Sequence, residues 1–112
     1  VCSSDLAACL MTKKDLFFEL DGFEEELKVA FNDIDYCLRV RTKDKLIVFD
    51  PEVVLIHHES LSRGSDEVSS EKKQRFNSEV AFMKERWESF LLDGDPYYNI
   101  NLTLDRTDYM IK

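Results

Sequence analysis

The stretch Leu46-Ile47-Val48-Phe49-Asp50-Pro51-Glu52-Val53-Val54-Leu55-Ile56-His57-His58 decides how this 112-residue chain is read. Leu46 to Phe49 reads as one strand and Val53 to His58 as a second, the latter with strongly β-branched content. Asp50-Pro51 separates them with turn chemistry, because proline has no amide hydrogen to give to a ladder. Two strands are therefore expected. Side chains alternate along a strand, so His57 and His58 would point to opposite faces and could not both serve one metal. A single histidine at a strand end is ordinarily structural, although imidazole is also a common metal ligand.

Working outward toward the C-terminus, Glu59 to Ser70 is polar and reads as a mobile loop able to cover a site. Ser69 or Ser70 then caps a long helix running to about Leu92. Phe76, Val80, Met83, Trp87, Phe90 and Leu91 form an apolar stripe at helical spacing. The stripe reads first as a core face and second as a surface for a partner helix. Asp93-Gly94-Asp95-Pro96 ends the helix with turn residues. The remainder, from Tyr97, is irregular and aromatic, and Asn101-Leu102-Thr103 has the spelling of a glycosylation sequon, which is frequent by chance.

Toward the N-terminus, Asn32 to about Lys43 is helical in pattern. Asn32 is placed to cap it, with Asp35 in the capping-box position. Ile34, Cys37, Leu38 and Arg41 share one side. Asp35 and Arg39 stand at i and i+4 with the acid first, a mildly stabilising arrangement. Asp33 is left as the freer carboxylate, in the first turn where the helix dipole favours its ionised form. It reads as an ordinary first-turn acid or as a general base. Before this helix lie an acidic loop, Glu24-Glu25-Glu26, and the turn Asp21-Gly22. A shorter helix precedes the turn, capped by Thr12 with Asp15 three residues on, its apolar face being Leu16, Phe17 and Leu20. Ala7-Ala8-Cys9-Leu10-Met11 is a further apolar run suited to a buried strand. The order strand, helix, helix, strand, strand, helix implies an α/β fold with an incomplete sheet and a long C-terminal amphipathic helix.

Bulk properties narrow the function. The length allows one small domain. A net charge of -8 disfavours binding along a phosphate backbone, and with it nucleic acid and anionic membrane surfaces. No apolar run approaches the roughly 20 residues of a membrane span. Three cysteines, Cys2, Cys9 and Cys37, form no C-x-x-C pair and no even-numbered disulfide framework. Val1-Cys2-Ser3-Ser4-Asp5-Leu6 has the look of a translated sequencing adapter. Residues 1–6 are accordingly set aside, with 7–70 and 71–112 as the two parts of the native sequence.

Five pieces, in order and at matching spacing, carry a resemblance. They are Ala7-Ala8-Cys9-Leu10-Met11 with Lys13-Lys14, Asp21-Gly22-Phe23-Glu24-Glu25, and Phe31-Asn32-Asp33-Ile34-Asp35-Tyr36-Cys37-Leu38-Arg39. The fourth is His57-His58-Glu59-Ser60-Leu61-Ser62-Arg63-Gly64, and the last is Asp95-Pro96-Tyr97-Tyr98-Asn99 with Asn101-Leu102-Thr103-Leu104-Asp105. Together they resemble the C-terminal part of a bacterial family 2 glycosyltransferase, polysaccharide-building and rhamnosyltransferase-like.

The resemblance implies a GT-A, Rossmann-like nucleotide-sugar transferase domain. It implies Asp33 as the catalytic base and Asp21, Gly22 and Phe23 as acceptor-binding residues. It further implies a divalent metal (Mn or Mg), with His57 as its downstream ligand, a nucleotide-sugar donor, and a saccharide or lipid-linked saccharide acceptor. The implied location is the cytoplasm, or the inner face of the cell membrane as a peripheral protein. Asn32 stands where the family has Glu, and Asp21 where it has Gly. Asp33-Ile34-Asp35 has the spelling of the family's metal motif but occupies the place of its base. No D-x-D with a nucleotide-binding half precedes Ala7, so the chain alone is expected to be inactive. The rival readings are a non-catalytic α/β module that binds a partner through helix 71–92, and a metal-binding protein, which lacks a ligand cluster.

Overall fold

The computed structural model describes residues 9–56, 70–94, 99–103, 108 and 110–112. Four helices follow in order: α1 Lys14–Glu19, α2 Asn32–Thr42, α3 Ser70–Arg86 and α4 Glu88–Asp93. Among the described residues there is no strand. The only β-type pairing described is an isolated antiparallel bridge between Leu102 and Ile111, with Thr103 N–H on Met110 O at 2.8 Å and Lys112 N–H on Asn101 O at 2.9 Å.

This overturns the α/β, GT-A-like sheet expected from the sequence. Residues 46–49 and 53–56 run without regular structure. Their side chains stand in solvent, with Leu46 90%, Val48 80%, Val54 82% and Ile56 83% exposed. Strand composition is a preference for a half-buried pleated surface, and it is realised only when neighbouring backbone accepts the ladder bonds. Here Val53 N–H bonds locally to Asp50 O at 3.3 Å, and Glu52 N–H bonds to Asp50 Oδ1 at 3.0 Å. The Asp-Pro turn therefore forms without the strands it was expected to join. Of the other expected strand, Cys9 to Met11 is irregular, with Met11 fully in solvent. Ala7, Ala8, His57, His58 and the polar loop 59–69 lie outside the described residues.

Helix α1 begins one residue later than its expected cap. Lys13 is the N-cap and makes no side-chain cap bond. Thr12 instead shares a 2.7 Å hydrogen bond with the Tyr36 hydroxyl. The helix stops where two successive residues enter the left-handed region, Asp21 at φ 59° and Gly22 at φ 70°. Glycine suits this turn for a second reason. A Cβ at residue 22 would lie 3.2 Å from the Phe17 ring, so Gly22 lets the backbone close over that ring.

The core sits between α1 and α2. Leu20, Tyr36 and Val40 are buried together, with Leu10, Leu16 and Phe17 packed against them. Phe17 meets Phe23 edge-on at 5.4 Å between ring centroids and Tyr36 at 5.6 Å. The buried face of α2 is Asp33, Asp35, Tyr36, Cys37 and Val40, so of the face expected from apolarity only Cys37 belongs to it. Four of these five are not aliphatic and two are carboxylates, which is why an apolar count points the helix the wrong way.

Helix α3 is shorter than the sequence pattern suggests. Trp87, at φ -112° and ψ 24°, breaks it from α4. The break is slight, because Trp87 N–H still bonds to Met83 O at 3.0 Å and Leu91 N–H to Trp87 O at 2.9 Å. The buried residue of α3 is Glu79, while Phe76 on the expected stripe is 49% exposed and Leu91, on α4, 56%.

Candidate functional site

Helix α2 carries the carboxylates that matter. Its N-cap is Phe31, held in the left-handed region at φ 65°, and Asp35 N–H bonds to Phe31 O at 2.8 Å. Asn32 is thus the first helical residue rather than the cap. Its side chain still serves the helix start, with Oδ1 accepting Asp33 N–H at 2.7 Å. The capping box does not form, because the Asp35 carboxylate is engaged elsewhere.

Asp35 is wholly buried, at 0% exposure. One of its oxygens accepts Arg39 Nε at 2.7 Å. The other accepts the Trp87 indole N–H at 2.9 Å and pairs with Arg86 Nε at 3.4 Å. A buried carboxylate remains charged at tolerable cost only when charged and polar donors surround it in this way. Arg39 reaches further, donating Nη2 to Gly22 O at 2.7 Å and Nη1 to Leu20 O. Those carbonyls lie just past the end of α1, in the turn that reverses the chain. Arg86 likewise donates to Glu24, and that hydrogen bond is the main reason the Glu24 carboxyl is held below its usual value.

Asp33 is also buried, at 8% exposure. Among the described residues no donor reaches its carboxylate. It stands one helical turn before Cys37, whose thiol is pushed up first by burial and then by the Asp33 charge. The two acids therefore have different surroundings: Asp35 is fixed from three sides, and Asp33 lies beside a thiol.

Asp21 and Phe23 line an open cleft of about 470 Å³, together with Glu24, Arg39 and Arg86. Gly22 forms the turn between them. Phe23 is 47% exposed, and its ring also packs on Tyr36 at 5.6 Å. The structure thus brings the expected acceptor residues together with two arginines, while Asp33 is not part of the cleft lining. His57 lies outside the described residues. Among the described residues no group of three or more His, Cys, Asp or Glu side chains could hold a metal, so these residues do not build the divalent site that the resemblance implies. No helix among them is long and apolar enough to cross a membrane.

Sequence reasoning found α3 but missed what its polar residues do. Glu79, 2% exposed, accepts Ala30 N–H at 2.9 Å and Val29 N–H at 3.3 Å, with Arg75 Nε at 3.8 Å. It holds the loop that leads into α2. Glu79 and Arg86 are seven residues apart and so lie on one helix face, with Trp87 beside them. That spacing is visible in the sequence, but it belongs to what reads as the solvated face.

Comparison with known proteins places this site in a longer context. The chain is 46% identical over 110 residues to the uncharacterized protein y4gI of Sinorhizobium fredii, covering 97% of this chain and 12% of that protein. It is 31% identical over 109 residues to the O-antigen biosynthesis protein RfbC of Myxococcus xanthus, covering 91% of this chain and 8% of that protein. It therefore spans about a tenth of the length of the curated relatives it matches. No protein-family profile matches the chain, and no solved structure matches it.

Proposed function

We propose that this chain forms the acceptor-side part of a sugar-transferring enzyme in bacterial cell-surface polysaccharide synthesis. The observation that carries the proposal is the 109-residue match to an O-antigen biosynthesis protein. The surroundings of the α2 acids support it. Asp35 is committed to its ion pairs, whereas Asp33 has no described donor and so has oxygens to offer a substrate proton.

In the proposed reaction, Asp33 takes the proton of an acceptor sugar hydroxyl as that oxygen attacks the anomeric carbon of a nucleotide-sugar. The new glycosidic bond forms as the bond to the diphosphate breaks, with inversion at that carbon and departure of the nucleoside diphosphate. Asp21, Gly22 and Phe23 would receive the acceptor, the half-exposed Phe23 ring offering an apolar face to a sugar ring and Asp21 an acceptor for its hydroxyls. A divalent cation and His57 belong to the same proposal. The described residues assemble no such site. The expected location is the cytoplasm or the inner face of the membrane.

The test is Asp33→Asn in the gene product in which this sequence occurs. Sugar transfer should fall to background while binding of the nucleotide-sugar, measured by calorimetry, stays at the wild-type level. Full transfer activity in the variant would overturn the assignment.

A second reading has its own support. Phe76, Leu91 and Leu92 are 49%, 56% and 81% exposed along α3 and α4, as a helix face that binds a partner would be. That reading expects the 112-residue chain to be a soluble species with a cooperative melt and no transferase activity in any longer context.

A further inference from the structure

The α3–α4 junction is tied to the start of α2 through a single carboxylate. Asp35 receives Arg39 at 2.7 Å and Trp87 at 2.9 Å, with Arg86 at 3.4 Å. Arg39 also binds Leu20 O and Gly22 O, and Arg86 also binds Glu24. Every donor that fixes Asp35 is thus anchored a second time or belongs to the helix break itself. A fully satisfied buried network of this kind favours one geometry over its alternatives. Asp33 lies two residues before Asp35 in the same helical turn, and its carboxylate has no described donor of its own. Its placement follows from that of Asp35.

We propose that Trp87 and Arg86 are positioning residues. Acting through Asp35, they set the Asp33 carboxylate relative to the 21–23 turn, so that an acceptor held at the turn presents its hydroxyl to the base. The inference rests on the reading of Asp33 as that base. It assigns to α3 and α4 a part in the reaction that their apolar stripe does not suggest. Neither Trp87 nor Arg86 is a catalytic residue, since each acts through Asp35.

Trp87→Phe tests it, because it keeps the aromatic bulk and removes only the indole N–H. In the gene product in which the sequence occurs, kcat should fall roughly tenfold, the factor that corresponds to about 1.4 kcal/mol. KM for the nucleotide-sugar should hold, and the melting temperature should stay near that of the parent. At the second position, Arg86→Lys should retain more of kcat than Arg86→Gln, since it keeps a charged donor. Wild-type kcat in Trp87→Phe would overturn the proposal. So would a loss of kcat that only follows the loss of melting temperature across the three variants. Asp33→Asn separates this inference from the reading beneath it. An inactive Asp33→Asn beside an unimpaired Trp87→Phe removes the positioning role alone, and an active Asp33→Asn removes both.

Discussion

At the scale of single residues, Cys37 is the most informative reporter on Asp33. Its thiol is raised above the ordinary 9.0, first by burial and second by the Asp33 charge. The folded state therefore holds this proton more firmly than the unfolded chain. The stability this contributes is complete below the unfolded thiol pKa and is lost as pH rises through the folded one. Thiolate, not thiol, is the species that alkylates. Between about pH 7 and 9, peptide-resolved alkylation should label exposed Cys9 well before buried Cys37. Asp33→Asn should quicken Cys37 without bringing it to the rate of Cys9, because burial, the larger cause, remains. An unchanged Cys37 rate in that variant would mean the Asp33 charge does not act at the thiol. The sequence placed these two residues a turn apart on one helix. Cys37, on the apolar side of that helix, was expected inside; Asp33 was not, because an acid in a first turn is ordinarily solvated.

At the scale of elements, α3 holds the entrance of α2 through Glu79. Its carboxylate accepts Val29 and Ala30 amides and is nearly inaccessible to water. Glu79→Ala leaves two backbone donors without that partner. The expected cost is about 1–3 kcal/mol, read from urea unfolding, and Glu79→Gln, which keeps an acceptor oxygen, should cost less. Equal midpoints for wild type and Glu79→Ala would mean that the contact adds nothing net. The helices themselves were legible. Asp21-Gly22 marked the end of α1, the acids of Asn32 to Asp35 marked the start of α2, and a serine marked the start of α3. Their buried faces were not. Apolar periodicity assigns α2 to Ile34 and Leu38, whereas Asp33, Asp35 and Tyr36 are the residues inside. It assigns α3 to Phe76 and Val80, whereas Glu79 is inside. Ion pairs and side chain–backbone bonds made across roughly 50 residues decided these faces, and a local pattern carries no trace of them.

At the scale of the whole molecule, the part that sequence described least well is the run 46–56. Its composition is that of strands, yet its side chains are in water and its described backbone bonds are local. An apolar surface of this kind is a site of association when nothing covers it. The isolated 112-residue chain should therefore sediment as concentration-dependent oligomers, and Val48→Lys with Val54→Lys should shift it toward monomer. Hydrogen exchange locates the cause. In the monomeric double variant, amides of 46–49 and 54–56 should exchange at rates near those of an unstructured peptide, while amides of α2, backed by the Leu20–Tyr36–Val40 core, stay protected. Protection gained in 46–56 as wild-type concentration rises, with α2 unchanged, would place the association at this run. A chain that stays monomeric at high concentration would overturn the association itself. One in which protection arises on α3 and α4 instead would move the adhesive surface to Phe76, Leu91 and Leu92. That outcome would favour the partner-binding reading of those helices over the transferase one.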